Sequence, residues 1–322
     1  MDSVRSQISR RSRWSRTGVL TGLLLLLSIP SAMPSAADSI PKRGSAYMGM
    51  GVLAHDGADN TAVPAESVPR VTQTEGVDVS SHQLNVTWST LWSSGVKWAY
   101  TKATEGTSYK NPYFTQQYNG SYDIGMIRGA YHFATPDGAG GAAQADYFVD
   151  HGGGWSKDGK TLPGVLDIEW NPYGDSCYGK SKSAMVSWIR DFLNRYKTRT
   201  GRDAVVYTAT SWWTECTGDY AGFGATNPLW IARYASAVGT LPSGWSTHTM
   251  WQYTSSGPTV GDHDRFNGAA DRLKAVSCTG LPAPPPTAPC TGAPERRGRA
   301  ERAGCEPAWA VRPDRETCSG PR

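Results

Sequence analysis

The sequence predicts an α/β fold, an incomplete (β/α) TIM-like barrel with some of its helices missing. Three observations predict it. Short apolar, β-branched or aromatic runs recur at residues 77–79, 98–104, 127–133, 165–170, 204–210, 229–234 and 249–253. Segments able to form helices lie between several of them, and such alternation builds a parallel barrel or open sheet. Polar or acidic residues also gather at the ends of successive runs: Asp78, Thr104 and Glu105, Tyr131 and His132, Asp167 and Glu169, Tyr207, Arg233 and Tyr234, Gln252 and Tyr253. A closed parallel barrel collects its strand C-termini on one face, where active sites are built.

The clearest helix spans residues 183–199, where Met185, Trp188, Ile189, Phe192, Leu193 and Tyr196 fall on one face at helical spacing. Residues 141–149, with Ala145, Phe148 and Val149, form a weaker one. The crossovers after Tyr207 and after Tyr234 are too irregular or short for full helices, so the barrel is expected to lack some of its outer layer.

Both ends stand apart from this rhythm. Arg5, Arg10, Arg11, Arg13 and Arg16 precede an apolar run over residues 18–29, and small residues follow at Ser35, Ala36 and Ala37. That order is a signal peptide over residues 1–37, too short in its apolar part to span a bilayer comfortably. A secreted, extracellular protein is expected, with no stable membrane association once the signal is removed. Residues 38–74 lack a periodic pattern and read as a propeptide or an extended lead-in. The catalytic barrel is assigned to residues 75–278. Residues 279–322 open on Pro282-Ala283-Pro284-Pro285-Pro286 and are rich in Arg, Pro and Gly. They cannot bury enough apolar surface to order themselves, and their composition resembles an out-of-frame reading of GC-rich DNA.

The formal charge of +4 misleads if taken whole. Five Arg against Asp2 put +4 on residues 1–37, and seven Arg against five acids put +2 on the tail, leaving −2 for the remainder. A nucleic-acid partner is therefore not expected. No phosphate loop and no metal-spaced His/Cys cluster occurs, so neither metal nor organic cofactor is expected. Of six cysteines in an exported chain, Cys177 and Cys216 fall in loop-like stretches after predicted strands and are expected to pair. Cys278, Cys290, Cys305 and Cys318 are left unassigned. Thirteen Trp and fifteen Tyr exceed what a core of this size needs, and exposed rings suit the flat apolar faces of sugars.

The chemistry is concentrated in Leu166-Asp167-Ile168-Glu169-Trp170. Side chains alternate along a strand, so Asp167 and Glu169 share a side with Cα atoms about 6.5–7 Å apart. That separation lies in the range at which paired carboxyls flank a glycosidic bond. Two like charges so close raise one pKa, leaving a proton available to a leaving group at neutral pH.

Further segments join this pair. Gly76-Val77-Asp78-Val79-Ser80-Ser81-His82-Gln83 ends the first strand with an acid, and Gly129-Ala130-Tyr131-His132-Phe133 ends another. Trp251-Gln252-Tyr253 precedes a loop, Gly261-Asp262-His263-Asp264-Arg265-Phe266-Asn267. Thr101-Lys102-Ala103-Thr104-Glu105-Gly106 and Trp230-Ile231-Ala232-Arg233-Tyr234 complete the set. In order and spacing over residues 76–275 it resembles the family 25 glycoside hydrolases, the Chalaropsis-type lysozymes, in their secreted actinobacterial form. The resemblance implies hydrolysis of the β-1,4 bond between N-acetylmuramic acid and N-acetylglucosamine in peptidoglycan glycan strands, by a monomer without cofactor. Glu169 matches the proton donor, Asp167 its partner, Asp78 the acid of the first strand and Asp264 the fourth acid, with Asp262 competing for that place. Tyr131, Tyr207, Arg233, Tyr234, Trp251 and Gln252 are the candidate substrate contacts, whereas His132 reads as structural. Retention through the substrate's acetamido group and single-step inversion both remain open. A barrel that only binds glycan and a chitinase-like endo-β-N-acetylglucosaminidase are the competing readings; acids retained at all four positions disfavour the first.

Overall fold

A computed structural model describes residues 40–58 and 72–279. The expected signal peptide and the Pro/Arg-rich tail, with Cys290, Cys305 and Cys318, lie outside the described residues. In chain order the elements are α1 (Val52–His55), β1 (Thr74–Val79), α2 (Trp88–Ser93), β2 (Trp98–Glu105), β3 (Tyr109–Lys110), α3 (Phe114–Asp123), β4 (Ile127–Phe133), α4 (Gly141–Phe148) and β5 (Val165–Asp167). There follow α5 (Lys182–Thr200), β6 (Val205–Thr208), α6 (Thr210–Thr217), β7 (Leu229–Ala232), β8 (Met250–Thr254), β9 (Asp262–Phe266) and α7 (Ala270–Thr279).

Seven strands, β1-β2-β4-β5-β6-β7-β8, run parallel in that order. The eighth, β9, enters antiparallel between β8 and β1 and closes the barrel. This corrects the expectation of a loop over residues 261–267. The crossover after Tyr207, expected to be irregular, contains α6, a two-turn helix ended by Gly218 in the left-handed region at φ 71°. Among the described residues no helix follows β7 or β8, so the barrel is incomplete on that side, as the sequence predicts.

Helix α5 is the longest element, and its signals are local. The Ser181 hydroxyl accepts the Ala184 amide at its start, and Gly201 at φ 73° ends it. Its apolar face, with Trp188, Ile189, Phe192 and Tyr196 buried, packs on α4 and on the outer surface of the sheet. A second cluster of Val77, Val79, Val86, Trp88 and Leu91 seals α2 against β1.

The floor of the barrel is aromatic. Trp98, Tyr100 and Trp230 pack with ring centroids 5.0–6.1 Å apart. Gly76 and Gly129 make room for them: a Cβ at either would lie 2.1 Å from the Trp98 or Tyr100 ring. Above this floor the inward positions turn polar. A bulge in β2 between Lys102 and Thr104 shifts the alternation by one residue, so Lys102 and Glu105 both face the barrel mouth.

Candidate active site

Register sets the level of each acid. Asp78 on β1 stands opposite Asp262 on β9, while Asp264 stands opposite Gly76 and Gln252, one layer deeper. The Gln252 side chain links the upper layer. Its Nε2 donates to Asp78 Oδ2 at 2.7 Å and to Asp262 Oδ2 at 3.3 Å, while its Oε1 accepts the Tyr207 hydroxyl at 2.6 Å and the Tyr234 hydroxyl at 3.0 Å. Two acids below and two phenols above leave one orientation for that amide. Asp264 accepts the Trp230 Nε1–H at 3.2 Å and faces the aromatic floor.

Asp167 ends β5 between Phe133 and Tyr207, fully buried; no N–H or hydroxyl donor of the described residues reaches its oxygens, and its polar partner is the neighbouring Glu169 carboxyl, with which it can share a proton. Glu169 follows two residues on and is 1 % exposed. Its Oε1 accepts the Gly49 N–H at 2.6 Å and its Oε2 the Gly51 N–H at 3.2 Å. Burial pushes Glu169 up to about 8, against the opposing pull of those two amides on its charged form. Burial likewise raises Asp167 well above the usual carboxylate range, reinforced by the charge of Glu169, and raises Asp78, reinforced by Asp262. Asp262 is lifted to about 7 by burial. The cluster therefore holds protons at neutral pH.

A buried ion pair flanks these acids. Lys102 Nζ lies 2.6 Å from Glu105 Oε2, both side chains at most 2 % exposed. Burial lowers the Lys102 pKa, and the Glu105 carboxylate works against that. Glu105 Oε1 accepts the Tyr173 hydroxyl at 2.6 Å and the Gly44 N–H at 2.7 Å. Two cavities of about 300 and 380 Å³ open beside the mouth, one lined by Asp56, Arg233 and Tyr234, the other by Arg43, Glu105 and Tyr109.

The profile of glycosyl hydrolases family 25 matches residues 77–262. The chain belongs to that family. It is a glycoside hydrolase, and family 25 relatives resemble it over most of their length. It is 44 % identical to lysozyme M1 of Streptomyces globisporus over 84 % of this chain and 97 % of that protein. It is 48 % identical to an N,O-diacetylmuramidase of Chalaropsis over 63 % of this chain and 98 % of that one. The crystal structure of a bacterial lysozyme from Streptomyces coelicolor superposes with a TM-score of 0.64 at 48 % identity, covering 66 % of this chain and all of that one.

Within this family 25 barrel, Asp78, Asp167, Glu169, Tyr131, Tyr207, Tyr234 and Gln252 meet at the mouth. The Tyr131 hydroxyl accepts the Met48 N–H at 3.4 Å. Asp264 lies deeper than expected, and Asp262 occupies the rim level with Asp78. Trp251 faces away from the acids: strand alternation turns Gln252 inward and Trp251 outward, where its Nε1–H donates to the Arg233 carbonyl at 2.8 Å. The Arg233 side chain is exposed and lines the first cavity. His132 is on the outer face of β4, bonded to Thr104 and Gln144 and lowered by burial to about 3, which makes it structural. Cys177 and Cys216 are joined as expected, with Cα atoms 5.3 Å apart.

Sequence reasoning named Lys102 and Glu105 only as part of a strand-end motif, gave them no role in the site, and did not select Tyr173. A signal for the first two was present, because a lysine and a glutamate in an otherwise apolar run are costly unless paired. Their pairing depends on the bulge, which has no signature of its own.

Proposed function

We propose that this chain is an exported lysozyme, an N-acetylmuramidase that hydrolyses the β-1,4 bond between N-acetylmuramic acid and N-acetylglucosamine in peptidoglycan, acting as a monomer. The observation that carries the mechanism is Glu169: a carboxyl placed at the barrel mouth just beyond Asp167, with its pKa raised by burial to about 8 while residues 40–58 cover it. It gives its proton to the glycosidic oxygen as the bond from that oxygen to the anomeric carbon breaks, help worth about 10²–10⁴-fold. The names and identities of the relatives above support the substrate class.

Asp167 supports a particular route. Its carboxyl lies buried beside that of Glu169 and receives no N–H or hydroxyl donor from the described residues; a sugar's 2-acetamido N–H in the cleft supplies one. Held there, the acetamido carbonyl oxygen faces the anomeric carbon and bonds to it as the leaving group departs. Water then opens the ring so formed, with the Glu169 carboxylate taking the proton, and the β configuration is retained. Asp78 and Asp262, tied to Gln252, hold the phenols of Tyr207 and Tyr234 at the rim.

Digestion of purified peptidoglycan, followed by mass spectrometry of borohydride-reduced products, tests the specificity. Reduced muramic acid at the new ends is expected. Reduced N-acetylglucosamine would establish the chitinase-like cut instead, and no new ends at all would leave a barrel that only binds glycan.

A further inference from the structure

Residues 40–58 lie across the barrel mouth, and we infer that this segment is an autoinhibitory plug that keeps the glycosidase closed until it is removed. The inference rests on the reading of Glu169 as the proton donor. Both Glu169 oxygens are taken by the plug, through the amides of Gly49 and Gly51. A glycosidic oxygen cannot approach a carboxyl whose two oxygens face a peptide backbone at hydrogen-bonding distance.

The rest of the segment is fitted to the site with the same care. Lys102 Nζ donates to the Ala46 carbonyl at 2.5 Å and to the Gly44 carbonyl at 3.3 Å, while Glu105 takes the Gly44 amide at 2.7 Å. Thus the buried ion pair binds the plug at one end. The Tyr234 hydroxyl approaches the Gly49 carbonyl at 3.3 Å, and Gln252 Nε2 the Met48 carbonyl at 3.4 Å. At the other end His55 stacks on Trp170, ring centroids 3.9 Å apart and 6° from parallel. Ala46, Met48 and Val52 are at most 1 % exposed, and Met48 and Val52 join the main core.

Close approach explains the glycines. Gly49 adopts φ +82°, and a Cβ there would lie 2.2 Å from the Tyr234 hydroxyl oxygen and 2.4 Å from Gln252 Oε1. At Gly51 a Cβ would lie 2.4 Å from the Trp170 Cβ. The two cavities sit at opposite ends of the plug, one beside Asp56 and Gly57 and the other beside Arg43 and Gly44. A groove running through both, with the plug across its middle, accounts for all of these contacts. Opening it requires one peptide bond between the plug and β1 to be hydrolysed, water adding across it under a protease, after which the untethered segment dilutes away.

Three forms of the full chain provide the test: the intact protein, a Gly49→Val variant, and a chain carrying a sequence-specific protease site between residues 58 and 72, cut and separated from its N-terminal piece. Peptidoglycan hydrolysis is measured beside calorimetric binding of a tetramer of N-acetylglucosamine. Loss of a tethered segment is expected to raise both the hydrolysis rate and the tetramer affinity about 10-fold or more, since a short tether holds it at millimolar effective concentration. Gly49→Val is expected to do the same without a cut. Should intact protein bind the tetramer as tightly as the cut protein, the plug is refuted, whether or not any form hydrolyses the wall. Tighter binding after cutting with no hydrolysis in any form would uphold the plug and overturn the proposed activity instead. If Gly49→Val fails to fold, the cut chain alone decides.

Discussion

At the residue scale, the site is a cluster of acids made to share protons. Asp78, Asp167, Glu169 and Asp264 are at most 3 % exposed, and Asp262 is 7 %. Burial is the first cause of every upward shift among them, and neighbouring acids add to most. A carboxyl whose folded pKa lies above its unfolded one binds its proton more tightly when folded. Its stabilising contribution is complete below the unfolded value of about 4 and is lost as pH rises through the folded value. For Asp262 and Glu169 those folded values are about 7 and about 8. The buried histidines act with the opposite sign and at lower pH: His132 and His248, lowered to about 3 and about 4, cost stability as pH falls below about 6.5, where the unfolded chain takes up the protons that the folded one refuses. Above pH 7 Lys102, lowered by burial, works against the carboxyls, but several raised acids stand against that one lysine. The melting temperature of the intact chain is expected to fall between pH 7 and pH 9 in a calorimetric scan at fixed ionic strength. A flat or rising melting temperature over that interval contradicts the assignment.

At the element scale, strands with a buried apolar side were legible and polar ones were not. The parallel strands carry Val, Ile, Trp and Tyr on faces closed by helices, and their rhythm survives inspection of the sequence alone. Strand β9 carries Asp262 and Asp264 into the barrel, at the rim and one layer deeper, and His263 and Arg265 on the other side, so it has no apolar alternation to read. Its fold is dictated by partners on β1 and β8. Helix α6 places Trp212 and Trp213 side by side, which obscures a 3.6-residue period over eight residues. The plug was legible only as an aperiodic stretch, because it binds through backbone amides and carbonyls, which every sequence has. The Asp167–Glu169 pair was legible because alternation along one strand suffices to place it. Its level relative to Asp262 and Asp264 needed the register of an antiparallel strand.

The disulfide belongs to this scale, since it fastens α6 to the loop after β5 across a separation of 39 residues. Closing a loop of that length restricts the unfolded chain by about 2–4 kcal/mol. The double variant Cys177→Ser, Cys216→Ser is expected to lose that much in denaturant unfolding, with a steeper denaturant dependence as the unfolded chain expands. A loss below about 0.5 kcal/mol contradicts an entropic role for the bridge.

For the whole molecule, the barrel is a device for bringing distant strands to one rim. Glu169 and Asp167 come from one strand end, Asp78 from the first strand and Asp262 from the last, and closure by β9 makes neighbours of residues nearly two hundred positions apart. The aromatic floor beneath and residues 40–58 above deny water the interior, and that exclusion is what raises the carboxyl pKa values in the intact chain. Fold and chemistry are thus coupled through burial. Hydrolysis of purified peptidoglycan by Glu169→Gln beside wild type, both cut after residue 58 and freed of the plug, tests this account most directly. The amide preserves shape and hydrogen bonding but has no proton to give. A rate loss of about 10²–10⁴-fold with glycan affinity unchanged within about 3-fold is expected; lysis undiminished by the substitution would show that the proton comes from elsewhere.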